Sequence, residues 1–322
     1  MKKALKVVVI ILILVTMFIT ICFAFYKYNK SIEGMKVTML GGANMKDNGN
    51  TNAMGYIIRS KNGKIIVVDG GREQDSEILM EYINKYGNGK VDYWYITHAH
   101  IDHVGALIQL LENDKYDVTI ENLCYYFNPL EWYHQYDTRG WNTENAMISN
   151  LKNSKIKNTI ECTKDQIIQM DNIECEILRI ADPEIIHSDN GNDSSMCFKM
   201  TATDVEKSII FLGDAFTYAS KELEKDVEEK PDKLKANAVQ MAHHGQNGVS
   251  KKVYEAIEPE LCFINAPEWL YNNDNGSGYN TGKWKSIEVQ GWIEELGAES
   301  FVAYNGDVTV RFTSEGYNVV EN

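Results

Sequence analysis

Residues 91–97, Val-Asp-Tyr-Trp-Tyr-Ile-Thr, read as a β-strand that runs straight into His98-Ala99-His100-Ile101-Asp102-His103. Four metal-capable side chains within six positions cannot enter a core unpaired, because each buried polar group left without a partner costs about 1–3 kcal/mol. Three of the chain's seven histidines fall here, which argues against an incidental polar loop. The spacing supplies two ligand pairs. His98 and His100 can grip one cation, while Asp102 and His103 turn toward a second about 3.5–4 Å away. Imidazole and carboxylate suit Zn2+ first, with Mn2+ or Fe as competitors.

Two later strand ends deliver matching groups. Residues 208–212 read as a strand ending in Gly213-Asp214, and 236–241 as a strand ending in Ala242-His243-His244-Gly245. Leu-Gly-Asp alone is a common turn, but following the histidine cluster it reads as a further carboxylate ligand. No G-x-S-x-G, G-x-x-x-x-G-K-[ST] or G-x-G-x-x-G occurs, so serine hydrolase, ATP and dinucleotide chemistry lack a signature.

Around these motifs strand and helix signals alternate. Strands are expected at 37–40, 55–59, 64–69, 173–180, 196–202 and 261–265, and helices at 76–86, 107–112, 216–229, 249–257 and 284–296. A strand meander is expected over 301–320. With 44% hydrophobic and 24% charged residues in a chain of 322, this order predicts a layered α/β domain over 35–322. A net charge of −14 makes a dedicated nucleic-acid binder an unfavourable reading, although a local basic groove stays possible. Cysteines 124, 162, 175, 197 and 262 show no short paired spacing and read as small buried hydrophobes.

Residues 7–26 are twenty positions without a charge. As a helix they would span roughly 30 Å, the thickness of a bilayer core. Lys2, Lys3 and Lys6 precede them. The expectation is a single-pass anchor, with 1–6 cytoplasmic, 27–34 a linker and the domain extracytoplasmic. A signal peptide cleaved after Ala24 is the alternative. A lipidated Cys22 is a third, which Ile21 disfavours.

Residues 124–141 hold seven aromatics, and Trp269, Tyr271, Tyr279 and Trp284 surround the Asn/Gly-rich stretch 272–280. Such groups either line a pocket or cover a sheet as a satellite core. On the pocket reading, Trp132, Tyr133, His134 and Trp269 are the candidate substrate contacts.

The order HAHIDH, Gly213-Asp214, HHG resembles the metallo-β-lactamase fold superfamily of binuclear metallohydrolases. It looks most similar to the branch with an HHG motif, which includes the extracytoplasmic domain of competence DNA-uptake channels and choline-phosphate esterases. Val68-Asp69-Gly70-Gly71 resembles the early Asp-Gly-Gly turn, and Asn192-Asp193-Ser194-Ser195 the branch's Asn/Ser element. The resemblance implies a four-layer αββα sandwich and two divalent cations. His98 and His100 would bind the first, Asp102 and His103 the second, and Asp214 would bridge them. His244 would complete the second site, with His243 the alternative. Asp69, Asn192 and Ser195 would orient these ligands. His187 stands where many members supply a third histidine to the first cation, a ligand the HHG branch often lacks. Gln246 replaces the usual Ser after HHG, which alters a substrate contact.

The function so implied is hydrolysis by metal-activated hydroxide, with Asp102, Asp214 and His244 central and a phosphoester or phosphodiester as the substrate. A competence-type nuclease, a lactone or β-lactam hydrolase, and a non-catalytic binding module are the alternatives.

Overall fold

The computed structural model describes residues 2–31, 34–42, 51–184 and 190–320. Seven strands come first: β1 (Lys36–Met39), β2 (Gly55–Arg59), β3 (Ile65–Asp69), β4 (Lys90–Val91), β5 (Tyr93–Tyr95), β6 (Thr119–Tyr125) and β7 (Ile156–Glu161). The next seven build a second sheet: β8 (Ile167–Met170), β9 (Ile173–Arg179), β10 (Cys197–Ala202), β11 (Lys207–Phe211), β12 (Ala238–Gln240), β13 (Leu261–Ile264) and β14 (Glu299–Val302). The chain then returns to the first sheet as β15 (Val308–Thr313) and β16 (Gly316–Val320). The first sheet has the order β16-β15-β1-β2-β3-β5-β6-β4, with β7 also on β6, and the second runs β14 back to β8 in sequence.

Strand alternation explains the layering. In β3, Ile66 and Val68 enter a core shared with Phe198, Phe211 and Phe263 of the second sheet, whereas Ile65 and Val67 pack with Leu79, Ile83, Leu107 and Leu110 on the outer helices. In β11, Ile209 and Phe211 face the shared core, while Ile210 packs with Leu223, Val253 and Ile293 of the opposite helices. Period-two side chains on both sheets thus give helices, sheet, sheet, helices.

Several sequence expectations shift. Residues 91–97 form two short strands, since Asp92 leaves the ladder and accepts hydrogen bonds from Ile65 N (3.0 Å) and Lys64 Nζ (2.8 Å). The expected meander over 301–320 divides between sheets, because β14 pairs in parallel with β13 while β15 joins β1. The helix expected from residue 107 begins at Ile101, inside the histidine cluster. Strands β6, β7 and β8 and the helices Leu130–Tyr136 and Trp141–Asn150 were not foreseen.

The membrane expectation is overturned. Residues Lys2–Ser31 form a helix, but among the described residues no helix is long and apolar enough to cross a membrane. The anchor, the single-pass topology and the extracytoplasmic placement that rested on it are withdrawn.

Candidate metal centre

The site forms where strand ends from both sheets meet. Asp69 closes β3 in a left-handed backbone conformation (φ 56°). Its carboxylate accepts from Thr97 N (2.8 Å), Thr97 Oγ1 (2.7 Å) and His103 Nδ1 (2.7 Å). With Nδ1 donating, His103 presents its other nitrogen, and Nε2 lies 3.2 Å from Asp214 Oδ1.

Asp214 is held just as firmly. Gln240 Oε1 accepts from both Leu212 N (2.9 Å) and Gly213 N (2.8 Å), and Ser195 Oγ accepts from Asp214 N (3.0 Å). Gly213 sits at φ 57°, where a Cβ would come within 2.8 Å of Thr97 Cβ, so only glycine permits this approach. Asp214 Oδ2 then lies 3.9 Å from His98 Nε2, 3.5 Å from His244 Nε2 and 4.0 Å from His243 Nε2.

After β12 the chain takes three consecutive left-handed residues, His243 (φ 51°), His244 (φ 60°) and Gly245 (φ 76°). Such conformations cost of order 1–3 kcal/mol for a non-glycine residue and persist where the surroundings enforce them. The turn separates the two imidazoles. His244 donates through Nδ1 to Asn265 O (2.9 Å) and brings Nε2 within 3.3 Å of Asp102 Oδ2. His243 binds Asn247 O through Nδ1, and its Nε2 accepts from Asn192 Nδ2 (3.2 Å). Asp102 also accepts from Asn52 Nδ2 (2.6 Å), with Arg72 3.7 Å away. His100 opens onto the cavity, and its Nε2 is 2.7 Å from Asp137 Oδ2.

Burial and charge set the protonation pattern. Burial and the neighbouring His103 and His100 push His98 well below the usual imidazole range. Burial is the largest influence on His103 and His244 too and opposes their charge, but Asp214 and Asp69 around His103, and Asp214 and Asp102 around His244, together outweigh it, placing His103 well above its usual value and His244 at about 9. Burial likewise resists ionisation of Asp214, yet His103 and His244 hold its carboxyl well below the ordinary range. Glu144, fully buried beside Asp137, is raised to about 10, by burial first and by Asp137 second.

Metal fit can be tested on these atoms. His98 Nε2, His103 Nε2, His244 Nε2 and Asp214 Oδ1 are buried without a hydrogen-bond partner among the described residues. They gather into two ligand groups, His98-His103-Asp214 and Asp102-His103-His244, while His100, Asp137 and Glu144 form a third. Unpaired polar atoms converging at this spacing are what cations would satisfy.

A model of the metallo-beta-lactamase superfamily matches residues 49–259. The chain belongs to this superfamily. Its members are generally metal-dependent hydrolases, and the His/Asp groups could hold two metals. No curated protein sequence matches. Among solved structures, the chain's likeness to the following three is one of fold alone. The metallo-beta-lactamase fold protein YhfI from Bacillus subtilis is 15% identical over 85% of this chain and 98% of its own, with a TM-score of 0.50. Unliganded yeast PDE1 is 12% identical over 86% and 99%, at 0.51. CmlA, a diiron beta-hydroxylase from Streptomyces venezuelae, is 12% identical over 87% and 54%, at 0.53.

Within the superfamily scaffold, His98, His100, Asp102, His103, Asp214, His243 and His244 meet in one place, supported by Asp69, Asn192 and Ser195. His187 lies outside the described residues. A polar cavity of about 740 Å3 opens over the cluster, and Asn192, Gln246, Tyr136 and Trp284 are on its wall. The aromatic substrate candidates are elsewhere. Tyr133 is fully buried, and Trp132, buried in the same helix-side core, donates through Nε1 to Pro183 O (3.0 Å). Of the two readings, pocket wall or satellite core, the core describes these two residues, because the helix Leu130–Tyr136 turns them inward. His134 is exposed against Trp141 and is not on the wall, and Trp269 packs edge-on behind Trp284. Asp137, Glu144 and Asn52 carried no local signal. Asp193 did, as part of Asn-Asp-Ser-Ser, and its Oδ1 accepts from Phe216, Tyr218 and Ala219 N to start the helix Thr217–Glu229.

Proposed function

We propose that this chain is a two-metal hydrolase of phosphoesters. The observation that carries the reading is the convergence of three partnerless buried histidine nitrogens on Asp214, whose Oδ1 is likewise without a hydrogen-bond partner, beneath an open polar cavity. His98 and His100 would hold the first cation, Asp102, His103 and His244 the second, and Asp214 both. His244 is preferred over His243 because Asn192 already occupies His243 Nε2. Zn2+ suits this donor set best, with Mn2+ or Fe as competitors. When bound, two such cations supply Lewis acidity, activating water near neutral pH and withdrawing charge from a substrate oxygen.

The chain's own residues do the positioning. Asp69 fixes the tautomer of His103, the Asn265 carbonyl that of His244, and Asp137 that of His100, so that each ring turns a lone pair toward the centre. Asn192, His243 and Gln246 form a polar wall against which an oxyanionic substrate can be oriented.

Phosphoesters are favoured over acyl substrates by the HHG resemblance and by the polar lining, to which Arg139 and Lys283 also contribute. Two cations in a chain of net charge −14 make a poor track for a nucleic-acid backbone, which counts against the nuclease reading. Among the described residues the wall carries only Tyr136 and Trp284 as large aromatics and no aromatic cage, which counts against a choline head group.

The test is turnover by the Zn-, Mn- or Fe-loaded protein of bis(p-nitrophenyl) phosphate, nitrocefin, a lactone and single-stranded DNA. Faster hydrolysis of the phosphodiester supports the reading. Nitrocefin or lactone cleavage without phosphodiesterase activity would sink it, and preferential cleavage of DNA would replace it with the nuclease.

A further inference from the structure

Resting on the phosphoester reading, we infer that Arg139 and Lys283 form a second anion subsite, selecting substrates with a carboxylate or phosphate remote from the scissile ester. Both residues are exposed and line the same cavity as Asp102 and Asp214, reaching it from different parts of the chain. Arg139 lies in the turn between the helices Leu130–Tyr136 and Trp141–Asn150, and Lys283 just before Trp284.

Among the described residues neither has a carboxylate partner, and their place on the cavity wall separates them from other cations without an ion pair, such as Arg59, Arg311 and Lys225. Arg72 and Arg179 each have a carboxylate neighbour, Asp102 and Glu222 respectively. Many lysines do as well, including Lys64, Lys115, Lys233 and Lys251. Arg139 and Lys283 have no ion pair among the described residues, although acidic side chains outnumber basic ones 46 to 32. A cation left unpaired on an acidic protein, at the mouth of a cavity, is available to a ligand.

Both are mounted on fixed backbone. Next to Arg139, Gly140 N donates to Asp137 Oδ1 (3.1 Å) and Trp141 N to Asp137 O (3.0 Å), so the residue that grips His100 also sets this turn. Around Lys283, Gly282 N donates to Asn273 O (2.6 Å), Trp284 N to Asn273 Oδ1 (3.0 Å) and Lys285 N to Asn247 Oδ1 (2.8 Å). The metal cluster would take the phosphoryl group, and the two cations would take the second anion across the cavity. A substrate with an uncharged or cationic second arm forfeits that contact.

The test uses ω-carboxyalkyl p-nitrophenyl phosphates with two to six methylenes and their methyl esters, on the metal-loaded full chain. The acid of best-fitting length should exceed its methyl ester about tenfold in kcat/KM, in line with two exposed ion pairs of modest strength. Arg139→Gln and Lys283→Gln should each cut that ratio about threefold and together bring it near one. Added salt should erode it likewise. A wild-type ratio near one at every length, or a ratio indifferent to both substitutions, would overturn the inference. Calorimetric binding of the matching non-hydrolysable alkylphosphonates separates the two claims. Preferential binding of the acid, lost in the double variant, with no ester turnover would reject the phosphoesterase and keep the subsite. Equal binding of acid and ester would reject the subsite whatever the turnover.

Discussion

Asp137 Oδ2 lies 2.7 Å from His100 Nε2, joining two residues 37 positions apart at the edge of the metal cluster. The contact would leave Nδ1 of His100 available to a cation, and it fastens the aromatic-rich helices to the histidine motif. The pair burdens Asp137 with two tasks, because its other oxygen holds the turn at Gly140.

Asp137→Asn should keep the shape while weakening the grip on His100. Carboxylates behind ligand histidines contribute about 10–100-fold in metal affinity or activity. Competition with a chromophoric chelator should show a loss in that range for one of two bound ions. An unchanged affinity for both ions would mean that Asp137 does not orient a ligand.

Among the described residues, Asp214 is the one carboxylate within 4 Å of four imidazoles, those of His98, His103, His243 and His244. Asp214→Ala should reduce bound metal from about two ions per chain to fewer than one. Activity should fall by several orders of magnitude. Elemental analysis and turnover of the same preparation check this together, and retention of two ions would remove Asp214 from the bridging position.

Metal uptake should release protons. His103 is raised well above its usual value and His244 to about 9, so both are protonated at pH 7 before metal binds, and a cation must displace those protons. Raised histidine values mean that the competition fades as pH climbs. Apparent Zn2+ affinity should therefore increase from pH 6 to about pH 9. Binding with no pH dependence across that interval would contradict the assigned ligands.

Glu144 supplies the opposite test. An ordinary carboxyl ionises near pH 4.3 in the unfolded chain, whereas this one stays protonated to about 10 in the fold. The folded state is thus penalised progressively as pH rises above the unfolded value, until the folded value is reached. Glu144→Gln removes the penalty and should raise the melting temperature by about 2–4 °C for each kcal/mol gained. The gain should be larger at pH 9 than at pH 5. A gain that is constant or shrinks with pH would show that the carboxyl is already ionised.

Trp132→Ala should act on stability. With the side chain 6% exposed in the helix-side core, its removal should cost about 3–5 kcal/mol. Thermal unfolding should show a fall on the order of 10 °C. A rise in KM without loss of stability would return Trp132 to the substrate.

The histidine motif, Asp214 and the HHG turn were legible in the sequence because their chemistry is short-range. A few residues at a strand end decide which donors can share a cation, and alternating apolar residues announce the strand that carries them. Asp69 was legible for the same reason, as the close of Val-Asp-Gly-Gly. Local pattern did not say what faces the motif from afar. Asp137, Asn52, Arg139 and Lys283 are ordinary polar residues until two sheets and their loops bring them to one cavity. Aromatic density likewise could not tell wall from core, and the helix Leu130–Tyr136 settled it by turning Trp132 and Tyr133 inward. The division of residues 301–320 between sheets followed the same logic, because strand partners are chosen by packing across the whole domain. Sequence determined the donor atoms; tertiary structure decided which of them meet, since proximity between distant residues is a property of packing and not of local spacing.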